Sequence, residues 1–117
     1  MDPRIKVIIS EMKRNISRAV PLSIVARRVN LSESRVRHLF RHETGISYAH
    51  YYKTLRIHEG KVLIEQDSFL TIKEVRVRIG FTSKEQFSRS FKKELGLTPK
   101  EYRSSCWHRE PAISETE

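Results

Sequence analysis

An all-α protein is what this 117-residue chain predicts, and three observations predict it. Glycine and proline total only eight, too few for the many turns of an all-β chain. Apolar residues recur at helical spacings of three and four along most of the chain. The pattern of residues 32–51 also returns at residues 83–102, so one helical unit is present twice. This length holds one ordinary domain, or two very small ones sharing a connector.

The elements follow in order. Pro3 to Ile16 carries Ile5, Ile8, Ile9, Met12 and Ile16 on one face, with Arg4, Lys6, Lys13 and Arg14 elsewhere. Asp2 suits its cap and Pro3 its first position. Pro21 opens a shorter helix with Leu22, Val25, Ala26 and Val29, closed by Asn30, which tolerates the left-handed conformation. From Ser32 a third helix runs to about Glu43, with Val36, Leu39 and Phe40 inward and Ser34, Arg37, His38 and Arg41 outward, until Gly45 stops it.

Ser47 to Gln66 reads as one helix about 30 Å long at 1.5 Å per residue. Tyr48, Tyr51, Tyr52 and Leu55 share one side, whereas Ile57, Gly60 and Ile64 lie on another, rotated by roughly 140°. A helix whose buried face changes halfway must pack against two bodies. Gly60 costs about 1 kcal/mol against Ala inside a helix, so a close backbone contact is its expected reason. Thr71 caps the next helix, with Glu74 completing a capping box and Ile72, Val75 and Ile79 on its buried side. Gly80, with Thr82 and Ser83 as candidate caps, leads into a helix with Phe87, Phe91 and Leu95 behind and Glu85, Ser88, Arg89 and Lys92 in front. Gly96 ends it, and a last short helix covers Pro99 to about Ser104.

The repeat is dense. A shift of 51 residues aligns Ser32 with Ser83, Phe40 with Phe91, Glu43 with Glu94, Gly45 with Gly96, Ser47 with Thr98 and Tyr51 with Tyr102. The outward quartet Ser34, Arg37, His38 and Arg41 lands on Glu85, Ser88, Arg89 and Lys92. Val29-Asn30-Leu31 matches Ile79-Gly80-Phe81 at a shift of 50, so the second turn has one residue more. The chain is two copies of a helix-turn-helix joined by a long helix. The expected layout is a first unit at 3–46, a connector at 47–66, a second unit at 67–105 and an acidic, aperiodic tail, expected to be disordered, at 106–117.

Charge narrows the partners. All 23 Lys and Arg residues lie within residues 1–109, against 11 of the 14 acids, a strong field for polyanions. The lone Cys106 excludes an internal disulfide and is compatible with a reducing cytosol. No leader pattern and no apolar run near 18 residues is visible, so the expected location is cytoplasmic, at the nucleoid.

A helix-turn-helix sets its second helix in the major groove. Two copies on one chain could then read adjacent grooves from one monomer. Their unlike outward faces make the expected site asymmetric. Arg37 and Arg89 suit bidentate contact with guanine, Gln86 pairs with adenine, Glu85 accepts from cytosine, and Ser34 and His38 are adaptable. Arg35, Arg41, Lys84, Lys92 and Lys93, with the cap residues Ser32 and Ser83, are placed for phosphates.

Gly80 to Arg103 reads GFTSKEQFSRSFKKELGLTPKEYR. With the two-unit layout and the segments Gly45-Ile46-Ser47, Leu55-Arg56-Ile57 and Leu63-Ile64, it resembles the DNA-binding domain of AraC/XylS-type bacterial transcription regulators over roughly Pro3 to Arg103. The resemblance implies seven helices in homeodomain-like units, promoter binding as a monomer or weak dimer, and activation by recruiting RNA polymerase. It also carries base-contact roles onto Ser34, Arg37, His38, Glu85, Gln86 and Arg89. Two positions depart from the family pattern: Arg76 and Gly60 stand where Ala is usual. No separate effector-binding domain, small-molecule effector site or cofactor is expected, which suggests a short standalone regulator. The alternative is the DNA-binding fragment of a larger ligand-responsive regulator.

Other functions find less support. His38 and His42 have a zinc-compatible spacing, but no third ligand follows at motif spacing. No phosphate loop or catalytic grouping is visible, so no enzyme is expected. A basic RNA- or protein-binding module could use Tyr48, Tyr51 and Tyr52 for stacking, although their helical spacing suits a core. The isoleucine stripe of the first helix is more simply a core face than a membrane-surface one.

Overall fold

The computed structural model describes residues 1–107, all-helical with no strand among them. Seven helices follow in order: α1 (Pro3–Arg14), α2 (Leu22–Arg28), α3 (Glu33–Thr44), α4 (Tyr48–Gln66), α5 (Ile72–Ile79), α6 (Lys84–Leu95) and α7 (Pro99–Trp107). No helix of the described residues is long and apolar enough to cross a membrane. The chain divides into two compact units, one of residues 1–55 and one beginning at Arg56, and the division falls inside α4.

The first unit closes around Ile5, Ile8, Met12, Val25, Ala26, Val36, Phe40 and Tyr52. Burying each large apolar side chain contributes roughly 1.5–3 kcal/mol, so this cluster holds α1, α2 and α3 to the start of α4. Tyr48 and Tyr51 meet Phe40 edge-on at ring-centroid distances of 5.6 and 5.3 Å. Two hydroxyls satisfy the chain between α1 and α2: Tyr48 donates to the Val20 carbonyl at 3.0 Å, and Tyr52 donates to the Asn15 carbonyl at 2.9 Å. The tyrosine cluster is core, and its polar tips tie down a loop.

The second unit buries Ile57, Ile64, Leu70, Val75, Ile79, Phe81, Phe87 and Phe91. Gly60 explains how its helices come so close. A Cβ built there would lie 3.0 Å from Ile79 Cδ1 and 3.6 Å from Val75 Cγ1, the backbone approach that its position inside a helix implied. The change of buried face along α4 is therefore a handover: Tyr48, Tyr51, Tyr52 and Leu55 pack on the first core, and Ile57, Gly60 and Ile64 lie within the second.

Two boundaries differ from the sequence expectation. α1 stops at Arg14 rather than Ile16, because Asn15 leaves helical geometry and its side-chain amide donates to the Glu11 carbonyl at 2.8 Å. α7 continues through Cys106 and Trp107, residues assigned to the tail, because the Trp107 indole N–H donates to the Ile64 carbonyl at 2.9 Å. The remainder of that tail, 108–117, lies outside the described residues.

Candidate nucleic-acid interface

The two reading helices are built alike. The Ser32 hydroxyl accepts from the Arg35 amide at 3.1 Å to start α3, and the Ser83 hydroxyl accepts from the Gln86 amide at 3.1 Å to start α6. Both helices end on a left-handed glycine, Gly45 at φ 83° and Gly96 at φ 87°. Each cap amide closes the last turn, Gly45 onto the Arg41 carbonyl at 2.8 Å and Gly96 onto the Lys92 carbonyl at 2.7 Å. The preceding turns agree as well: the Leu31 amide donates to the Ala26 carbonyl at 3.0 Å, and the Phe81 amide to the Arg76 carbonyl at 3.1 Å. Asn30 supplies the left-handed turn at φ 58° in one copy and Gly80 at φ 93° in the other.

Burial then fixes which face of each helix is left to solvent. Val36 and Phe40 seat α3 and are fully buried, as Phe87 and Phe91 are beneath α6. At about 100° per residue, Ser34, Arg37, His38 and Arg41 share an arc of about 100° opposite that seat, and all four are exposed. In α6 the same arc holds Glu85, Ser88, Arg89 and Lys92, of which only Ser88 is partly covered. Arg35, Gln86 and Lys93 are exposed on the flank, and Lys84 is exposed on the other side. Gln86, assigned to a base, thus occupies the position that Arg35, assigned to a phosphate, has in the first copy.

Local partners set how free these groups are. The Arg37 guanidinium stands 3.6 Å from the Glu33 carboxylate, with both side chains well exposed. Such a solvated pair contributes roughly 0–1 kcal/mol, so a better anion displaces it easily. The Ser83 hydroxyl also donates to the Glu85 carboxylate at 3.4 Å, which steadies Glu85 at the head of α6. A phosphate at Ser83 would have to take that proton. Lys84, Glu85, Arg89 and Lys92 line one shallow groove of about 350 Å³ together with Ser88 and Thr98. Thr98 and Glu101 bond reciprocally, side chain to backbone, at 3.1 and 2.9 Å and so fix the start of α7 beside it. No cluster of three or more metal-ligating side chains is present among the described residues.

Arg76 is accommodated by the turn it precedes. Its Nη1 donates to the Phe81 carbonyl at 2.8 Å, so the cation reaches out of the helix contact and braces the turn leading to α6. Sequence reasoning identified Arg76 as a departure but could not see this partner, which stands five residues further along the chain.

Comparison with known proteins fits this geometry. Residues 25–105 match the family described as a helix-turn-helix domain. The arabinose operon regulatory protein of Salmonella typhimurium is 39% identical over 85 residues, covering 73% of this chain and 30% of that protein. The transcriptional activator RhaR of Yersinia pseudotuberculosis is 29% identical over 100 residues, covering 86% of this chain and 34% of that protein. The chain thus spans about a third of the length of these relatives. Among solved structures, an AraC-type transcriptional regulator from Chromobacterium violaceum is similar with a TM-score of 0.82 at 27% identity, covering 88% of this chain and 91% of that one. The DNA-binding domain of AdpA, a global transcriptional factor solved in complex with a target DNA, gives a TM-score of 0.80 at 25% identity, covering 95% of this chain and 98% of that one. The chain belongs to the AraC/XylS-type helix-turn-helix family of DNA-binding transcription regulators.

Proposed function

We propose that this chain binds an asymmetric double-stranded promoter site as a monomer or weak dimer, with α3 and α6 inserted into adjacent major grooves. The observation that carries the reading is the pair of equivalently capped, equivalently seated helices whose outward side chains differ. Ser34, Arg37 and His38 read bases from the first unit, and Glu85, Gln86 and Arg89 read them from the second. Ser32, Arg35, Arg41, Ser83, Lys84, Lys92 and Lys93 hold phosphates and set register. The solved complex of the AdpA domain with a target DNA supports the polyanion as DNA. In the cell the protein acts at the nucleoid and recruits RNA polymerase as an activator, a role that the printed name of RhaR supports. The greater length of the relatives supports a second reading, in which these surfaces serve within a larger ligand-responsive regulator.

Two substitutions in α6 test the division of labour. Arg89→Ala should relax preference at one or two base pairs, at a cost of about 1–3 kcal/mol on the preferred site. Lys92→Ala should weaken all duplexes alike and reduce the salt slope by about 1. Equal, sequence-independent losses in both variants would remove the assigned roles.

A further inference from the structure

The heads of the two reading helices carry opposite charge. Lys84 opens α6, and Lys73 and Lys100, from the heads of α5 and α7, line the same recess beside it. At the matching shifts of 50 and 51 the first unit has Glu33, Ser23 and Ala49, so the head of α3 keeps one acid and none of these cations. Glu33 is also the partner of a residue assigned to a base. Its carboxylate stands 3.6 Å from the Arg37 guanidinium, one helical turn further along the same side of α3. The spacing recurs in α6 as Glu85 and Arg89. There the Ser83 hydroxyl donates to the Glu85 carboxylate, and Arg89 has no ion pair among the described residues. We propose that Glu33 is a specificity-determining residue, which denies Arg37 to backbone phosphate and keeps it for guanine. This role rests on the function proposed above.

The pair is solvated, with side-chain exposures of 64% for Arg37 and 47% for Glu33, so it opens readily. Discrimination comes from the charge left behind when it opens. A phosphate taken by Arg37 places a second anion beside the Glu33 carboxylate, and like charges side by side oppose binding. The O6 and N7 edge of guanine is a neutral pair of acceptors and brings no such anion. Specificity is a difference of affinities, and weakening the wrong contact raises it as surely as improving the right one. An acid in the first turn also suits the helix dipole. Yet α6 begins with Lys84 at the same position, so the fold does not demand an acid there.

The test uses the whole chain and two duplexes of equal length, the site it selects from a random pool and a scrambled one, at about 50 and about 200 mM salt. Glu33→Gln should tighten the scrambled duplex about tenfold at the lower salt and the selected site about threefold or less. The preference therefore falls by about threefold or more. The scrambled duplex should also gain about 1 in salt slope, the sign of one more phosphate contact. Glu33→Asp, which keeps the charge, should hold the preference within about twofold. A field that repels every duplex alike cancels in this ratio, so the effect must run through Arg37. Adding Glu33→Gln to Arg37→Ala should accordingly change the preference by less than about twofold. An unchanged preference in Glu33→Gln, equal weakening of both duplexes, or the same drop without Arg37 would overturn the role of Glu33 alone. No preference in the unsubstituted chain would overturn the proposed function and this role with it.

Discussion

The first unit fastens its last helix with tyrosine hydroxyls, and the second fastens its own with an arginine beside a tyrosine and an indole. Tyr52 spans the gap between α1 and α2 from the start of α4, donating to Asn15 and accepting from the Val20 amide at 3.2 Å. Its counterpart one repeat later is Arg103, whose guanidinium donates to the Leu70 carbonyl, with Leu70 standing where the first unit has Val20. The tyrosine carries a ring into the core, whereas the arginine brings a buried Nε with no hydrogen-bond partner. The repeat also reaches further back than its motif. Ile5, Ile8 and Met12 of α1 correspond, at a shift of 52, to Ile57, Gly60 and Ile64 of α4. The second half of α4 is thus to its unit what α1 is to the first, except that Gly60 replaces an isoleucine. The same plan is kept by different chemistry.

The largest expected effects sharpen the contrast at Ile8 and Gly60. Ile8→Ala should cost about 2–5 kcal/mol by opening a void in a filled core. Gly60→Ile, which copies the first unit into the second, should cost about 1–3 kcal/mol by overpacking against Ile79 and Val75. Hydrogen exchange should place the first loss mainly in residues 1–55 and the second mainly after Arg56. A neutral Gly60→Ile would show that the close approach is not needed.

Arg76 comes next. Arg76→Ala, which again copies the first unit, should cost about 1–3 kcal/mol by leaving the Phe81 carbonyl without its charged donor. Urea denaturation measures it, and an unchanged midpoint would mean that the turn stands without the brace.

A smaller, pH-dependent effect belongs to the first unit. Burial, followed by the neighbouring Tyr52 and Glu11, pushes the Tyr48 phenol up to about 12 from its ordinary 10.0. Because the folded protein holds that proton more tightly, its contribution is fully present below pH 10 and is lost as pH rises toward about 12. Tyr48→Phe should cost about 1 kcal/mol at neutral pH and should lack that share of alkaline destabilisation. Parallel alkaline melts of the two proteins would contradict it.

Much of this was legible in the chain because the signals are local. Ser32, Ser83, Gly45 and Gly96 act on backbone groups within four residues, so their caps and stops could be read directly. The two-faced connector was legible because the Tyr and Ile sets keep helical spacing on different sides. Trp107 was missed because its partner, the Ile64 carbonyl, is 43 residues away. The correspondence of Ile8 with Gly60 was hidden because the residues are chemically unlike. Arg37 and Arg89 could be singled out for their outward positions, but the Glu33 carboxylate beside Arg37 shows that exposed partners also belong to the account.

Selection of bound duplexes from a random DNA pool, with the mass of the complex determined by sedimentation, tests the central claim most directly. Two unlike half-sites about 34–36 Å apart, one turn of duplex, bound by a single chain, are expected. A palindromic site, or retention of single-stranded RNA as tight as that of any duplex, would contradict the account.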